Sequence, residues 1–188
     1  MTHPIVAYGN PILRTKAKEI NKDDIDIKQL IEDMFDTLEK TGGVGLAAPQ
    51  INKSVRVFVI NADLIAEEYP EGKGVKMAMI NPVMLEEFGE EWAYNEGCLS
   101  FPGLHEDVVR KSKVRIRYQD EDFNTHEKEF DGMPARIIQH EYDHLEGKVF
   151  TDKLSSIRRV FIKGRLEDIA NGKVKTEYKT IFAKKNRK

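Results

Sequence analysis

The sequence predicts an α+β fold with a C-terminal helix/strand extension. Two stretches carry helical periodicity, strand signals gather between them at about residues 55–130, and an H-E-x-x-H pattern falls inside the second helix. No βαβ rhythm links these elements, which argues against a doubly wound sheet.

The first helix is read from Ile27, Leu30, Ile31, Met34, Phe35 and Leu38, one apolar stripe, with Asp26 as N-cap and Gly42 as the stop. Thr41 to Gln50 follows, glycine-rich, apolar and uncharged. Glycines there let the backbone approach something closely. Val55 to Ile60 is β-branched and aromatic, and Lys76 to Asn81 can pair with it. Asn61 to Gly74, acidic with Pro70, Gly72 and Gly74, reads as a surface excursion. Val114, Ile116 and Tyr118 alternate with Lys113, Arg115 and Arg117, the period of a half-buried strand. Asn124 to Phe130 is its expected partner, turned through Asp120 to Phe123. Helical pattern returns from Pro134 to Glu146, with Gly147 ending it. Ser155 then caps a helix through Ile157, Val160, Phe161 and Ile169. The last ten residues read as a short strand and a basic end.

At 188 residues, with 40% hydrophobic and 33% charged, the chain suits one domain with its own core and is too charged for a membrane-embedded one. No apolar run approaches the ~18 residues of a membrane-spanning helix. Met1 to Pro4 lacks the basic start and apolar stretch of a signal peptide, so a cytoplasmic location is expected, with no membrane and no DNA partner. Cys98 is the single cysteine, in keeping with a reducing compartment. The net charge of -2 is uneven. Residues 153–188 carry 12 basic against 3 acidic side chains, a net of +9, and residues 1–152 carry -11. A basic extension on an acidic body is a statement about partners.

His140-Glu141-Tyr142-Asp143-His144 places two imidazoles at i and i+4, on one helix face, where both can reach one metal ion. Glu141 lies beside that ion and can take a proton from water. The third ligand stays open at this point. No His follows His144, but Asp152, Glu167, Asp168 and Glu177 do, as in a zincin-like endopeptidase. Upstream, Cys98 stands in Asn95-Glu96-Gly97-Cys98-Leu99-Ser100-Phe101-Pro102 and offers a thiolate.

Gly43-Val44-Gly45-Leu46-Ala47-Ala48-Pro49-Gln50, Glu96-Gly97-Cys98-Leu99-Ser100 and Gln139-His140-Glu141-Tyr142-Asp143-His144-Leu145-Glu146-Gly147 resemble, in order and spacing, the three motifs of peptide deformylase. The resemblance covers about residues 3 to 155. It implies antiparallel sheets around a central helix carrying H-E-x-x-H, and a catalytic domain at 1–152 with residues 153–188 as a basic extension packed on it. It implies removal of the formyl group from N-formylmethionyl nascent peptides. Cys98, His140 and His144 would hold one divalent metal, Fe(II) in the cell, with Zn(II), Ni(II) or Co(II) able to substitute. Water on that metal would attack the formyl carbonyl, with Glu141 taking its proton and passing it to the leaving amine. The Gln50 side chain and the Leu99 backbone N–H would stabilise the oxyanion. The Val44, Gly45 and Gly97 backbones would pair with an extended substrate, and Val44, Met133 and Ile137 would receive the methionine side chain. Asp143 would pair with Arg110 behind the ligands. The acidic segment at residues 62–73 departs from compact relatives and could reshape one cleft edge. The basic extension is a candidate for contact with the ribosome, whose surface is largely phosphate. A non-enzymatic binding module is the other rival, against which the complete set of Gln50, Cys98, His140, Glu141 and His144 argues.

Overall fold

Helix α1 (Ile27–Thr41) begins where the Asp26 carboxylate accepts the Gln29 N–H at 3.1 Å and ends at Gly42, whose φ of +70° only glycine adopts readily. The computed structural model describes residues 1–183. Strands β1 (Ile5–Val6), β2 (Gly45–Ala47), β3 (Val57–Asn61), β4 (Lys76–Gly97), β5 (His105–Gln119) and β6 (Thr125–Asp131) precede helix α2 (Gly132–Leu145). Helix α3 (Ser156–Ala170) and strand β7 (Thr180–Ile181) follow it. Strands β2 to β6 form one antiparallel sheet in sequence order. The second sheet differs from the expected antiparallel arrangement: β1 and β7 pair parallel, which the long stretch of chain between them permits.

Helix α2 is the centre. Asp131 accepts the Gly132 N–H at 2.7 Å and starts it. Met133, Ala135, Ile137, Ile138 and Leu145 are buried against Phe58, Ile60, Met79, Val114 and Ile116 of the sheet. The other layer of core joins Leu30, Ile31, Met34 and Leu38 of α1 to Leu46, Val57 and Val59. The alternation of Val114, Ile116 and Tyr118 lies in β5 as expected, opposite Phe130, Lys128 and His126 of β6.

Three features depart from the sequence reading. Strands β4 and β5 run well beyond Asn81 and before Lys113. Their extra length carries Glu86 and Glu91 opposite Arg115 and Lys111 as cross-strand ion pairs, while Glu106 and Arg110 take buried positions beside Val108, so the alternation of burial persists without an apolar alternation in the sequence. Irregularities after Ile80, Met84 and Phe88 bend the ribbon. The acidic segment is more than an excursion: Ala62 and Gly72 are buried, and Glu71 accepts the Met133 N–H at 3.0 Å, capping α2. Finally, α3 buries Ile162 and Ile169 against Phe101, Leu104 and Phe150, whereas Ile157, Val160 and Phe161 are 70%, 72% and 76% exposed. The helix and its Ser155 cap are as expected, but its inner face is rotated from the apolar residues the sequence suggested. Lys184, Lys185, Arg187 and Lys188 lie outside the described residues.

Candidate active site

Because α2 advances 3.6 residues per turn, His140 and His144 lie one above the other, ring centroids 5.2 Å apart. Cys98 follows directly on the end of β4, and its Sγ lies 3.3 Å from His144 Nε2. Cys98, His140 and His144 each offer one donor atom, all within 4.8 Å of one another, and among the described residues this is the group able to hold a metal. Of the downstream acids, Asp152 pairs with Arg14, Glu167 with Lys163 and Asp168 with Lys173, while Glu177 is exposed and outside the cluster of donors. A thiolate and two imidazoles fit a divalent first-row ion that leaves a coordination position open.

The surroundings fit the same ion. The His140 Nδ1 lies 3.0 Å from Glu96 Oε2, which leaves Nε2 for the ligand cluster. Burial lowers the pKa of His140, but contact with the Cys98 thiol and Glu96 overrides it and holds it well above the usual histidine value. Burial and the neighbouring His140 hold His144 well below that value. Glu141 is buried, which raises its pKa to about 7, and its Oε2 has no hydrogen-bond partner among the described residues. Such a carboxyl is poised to exchange a proton.

Cys98, His140 and Glu141 open on a cavity of about 480 Å³, with His144 buried behind them. Its walls include every sequence-predicted contact residue: Val44, Gly45, Gln50, Gly97, Leu99, Met133 and Ile137. Gly45 has a steric reason to be glycine, since a Cβ there would collide with Glu141 Oε1 and Ile137. Gly97 likewise faces the His105 ring, 2.5 Å from where a Cβ would stand. Gln50 Oε1 accepts the Ala47 N–H at 2.8 Å, which turns its amide nitrogen toward Cys98 Sγ at 3.4 Å and Ser100 Oγ at 3.3 Å.

Behind the ligands, Arg110 donates to Asp143 Oδ2 at 2.8 Å and through two nitrogens to Glu96 at 2.7 and 3.1 Å. Arg136 adds a 2.5 Å contact to Glu96 and stacks over Trp92. Burial raises the Glu96 pKa, yet the hydrogen bonds from His140 and Arg110 hold it well below the usual carboxylate range. Sequence reasoning assigned no role to Glu96 or Arg136. An acid two residues before the cysteine, in the same motif, was the available signal. His105, Ile65 and Tyr178 also line the cavity, and no local pattern marks them.

The Arg110–Asp143 pair ties β5 to α2. Asp143→Asn and Arg110→Ala are each expected to weaken metal affinity by roughly 10–100-fold, the usual cost of losing a partner behind the ligands. The double variant is expected to lose little more than the worse single one. Metal titration against a competing chelator measures all three, and strictly additive losses would show that the pair does not act as a unit.

Residues 2–160 match the model of the polypeptide deformylase family. The chain is 48% identical to the peptide deformylase of Cytophaga hutchinsonii over 97% of this chain and 98% of the relative. It is 47% identical to that of Christiangramia forsetii over the full length of both. Among solved structures, Arabidopsis thaliana peptide deformylase 1B in complex with an inhibitor superposes with a TM-score of 0.79 at 36% identity, covering 89% of this chain and 90% of that one. The peptide deformylase of Thermotoga maritima gives 0.74 at 37% identity, over 82% and 99%. With this similarity running through all three motifs, the chain belongs to the polypeptide deformylase family and removes the formyl group from the N-terminus of newly made polypeptides.

Proposed function

We propose that Cys98, His140 and His144 hold one divalent metal ion and that Glu141 moves the protons in this hydrolysis. The observation that carries this reading is the convergence of the three donor atoms beside a buried carboxyl with an unpartnered oxygen. The ion, when bound, supplies positive charge that acidifies water and polarises the formyl carbonyl.

Glu141 accepts a proton from the attacking water and delivers it to the leaving nitrogen, so that water and formyl amide become formate and a free amine. Gln50, fixed through Ala47, donates from its amide nitrogen to the developing oxyanion, and the Leu99 N–H is the second donor. Strand β2 is an edge of the sheet, so Val44 and Gly45 can pair with an extended peptide backbone while Gly97 faces it from the other wall. Val44, Met133 and Ile137 form the apolar lining for the methionine side chain. Formate release from an N-formylmethionyl peptide, with anaerobically prepared Fe(II) protein, tests the reading. It requires activity that a chelator abolishes and Fe(II) restores; a fully loaded protein that releases no formate would defeat it.

The ligand set accepts iron or zinc, and we assign Fe(II) as the cellular ion with Zn(II), Ni(II) or Co(II) able to replace it. A thiolate beside an open iron position is vulnerable to oxygen. The iron form is expected to lose activity in air while the nickel or cobalt form keeps it; equal lifetimes would contradict the oxygen sensitivity of a thiolate-ligated iron site.

Residues 1–152 act as the catalytic domain in this reading, and residues 153–188 as an extension on the same core, supported by the packing of Ile162 and Ile169. Work in the cytoplasm, where nascent chains emerge, fits a protein in which no described helix is long and apolar enough to cross a membrane. The extension also offers a ribosome contact. Arg159, Lys163 and Arg165 line exposed α3, and Arg158 there is paired with Glu106 at 2.6 Å. Co-sedimentation with ribosomes is expected to weaken as salt rises and when Arg159, Lys163 and Arg165 are neutralised, with turnover of a free formyl-peptide unchanged. Binding indifferent to both would remove the extension from docking.

A further inference from the structure

Tyr178 lies 79 residues beyond Leu99 in sequence, in a segment with no part in the three motifs, yet its phenol O–H donates to the Leu99 carbonyl at 2.7 Å. Its ring lines the active-site cavity beside Cys98 and Leu99 and packs against the α1 core. The backbone around it is pinned. The Thr176 and Thr180 hydroxyls donate to the Tyr178 carbonyl at 2.9 and 3.1 Å. Two residues on, β7 pairs with β1, where the Ile5 N–H donates to Lys179 O at 2.8 Å and the Ala7 N–H to Ile181 O at 2.9 Å. The next residue of that same segment reaches the loop itself, the Tyr8 N–H donating to Ser100 O at 2.8 Å. The loop that carries a metal-ligand candidate and an oxyanion donor is therefore held from outside by both ends of the chain.

Within the loop, one turn bond closes on itself, from the Phe101 N–H to Cys98 O at 2.8 Å. On its far side, a Cβ at Gly43 would come within 3.1 Å of Leu99 Cδ1, so side-chain packing restrains Leu99 as well. The turn bond restrains the peptide plane that carries the Leu99 N–H, through Cys98 O, and the Tyr178 hydrogen bond anchors the adjoining plane, through the Leu99 carbonyl, so that Leu99 is held on both sides.

We propose that Tyr178 is a positioning residue for deformylation, holding the Leu99 backbone so that its N–H meets the oxyanion. The proposal rests on the reading of the Leu99 N–H as an oxyanion donor. Such donors act only over a narrow distance range, and removing one outright commonly costs 10²–10³ in turnover. Loosening one costs less, and because the contact exists only in the transition state, kcat falls while KM does not.

The test is Tyr178→Phe, which keeps the ring and removes the donor, in metal-loaded protein with N-formylmethionyl-alanyl-serine as substrate. Turnover and amide hydrogen exchange over residues 98–101 are measured together. We expect kcat to fall by about 10-fold, KM to stay within two-fold, metal content to stay at one per chain, and the loop amides to exchange faster. Unchanged exchange would overturn the tether. Faster exchange with unchanged kcat would overturn the positioning role of Tyr178 and leave the Leu99 N–H as donor, its plane still held by the turn bond to Cys98 O. A rise in KM with kcat intact would make Tyr178 a wall of the binding cleft instead.

Discussion

Glu141→Gln is expected to leave one metal ion per chain and to lower formate release by at least ~100-fold, the scale on which a general base contributes. The substitution preserves size and one hydrogen-bonding oxygen, and Glu141 is not among the three donors that converge. Only the ability to take up and release a proton is removed. A control separates this from unfolding. Burial holds the Glu141 pKa near 7 instead of the ordinary 4.5, so folded metal-free protein binds a proton there that the unfolded chain has lost. A raised carboxyl pKa contributes stability below 4.5 that is lost as pH rises toward 7, and the amide has no such loss. Relative to wild type, the metal-free Glu141→Gln protein should therefore gain thermal stability across that window. Normal metal content with turnover within a few-fold of wild type would show that Glu141 is not the base.

The second large effect is on the metal. Cys98→Ala removes one of three donors and leaves two imidazoles, so metal occupancy after dialysis should collapse, with a loss of affinity beyond the ~100-fold upper range for partners behind the ligands. Formate release should fall in proportion to bound metal. Cys98 is small and only half-buried, so alanine leaves the packing of Phe101 and Phe150 in place. Stoichiometric metal in this variant would mean that an acid supplies the third ligand.

Much of the site was legible because its chemistry is local in sequence. His140, Glu141 and His144 share one turn-and-a-bit of helix, so their spacing alone sets their geometry. The Cys98 ligand and the Gln50 amide became legible through motif resemblance, since nothing local says that the end of β4 meets α2. Glu96, Arg136 and Tyr178 were not legible as partners. Each acts through a contact between elements far apart in the chain: Glu96 to His140 across 44 residues, Arg136 to Glu96 across 40, Tyr178 to Leu99 across 79.

The fold divides the same way. Helices α1 and α2 declare themselves by apolar stripes and caps, and β5 by its alternation. The long ribbon of β4 and β5 hides because both its faces carry charge, with Glu91 against Lys111 and Glu86 against Arg115 on one and buried Glu106 and Arg110 on the other. The inner face of α3 misleads because it carries two apolar stripes, Ile162 and Ile169 facing the core, Ile157, Val160 and Phe161 facing away.

X-ray absorption at the metal edge of loaded wild-type protein tests the central claim most directly. The donor set of Cys98, His140 and His144 predicts one sulfur at about 2.3 Å and two imidazole nitrogens near 2.0–2.1 Å for a zinc-loaded sample, with lighter donors completing the shell. The sulfur should vanish in Cys98→Ala and persist in Glu141→Gln. A wild-type shell with no sulfur would contradict the account.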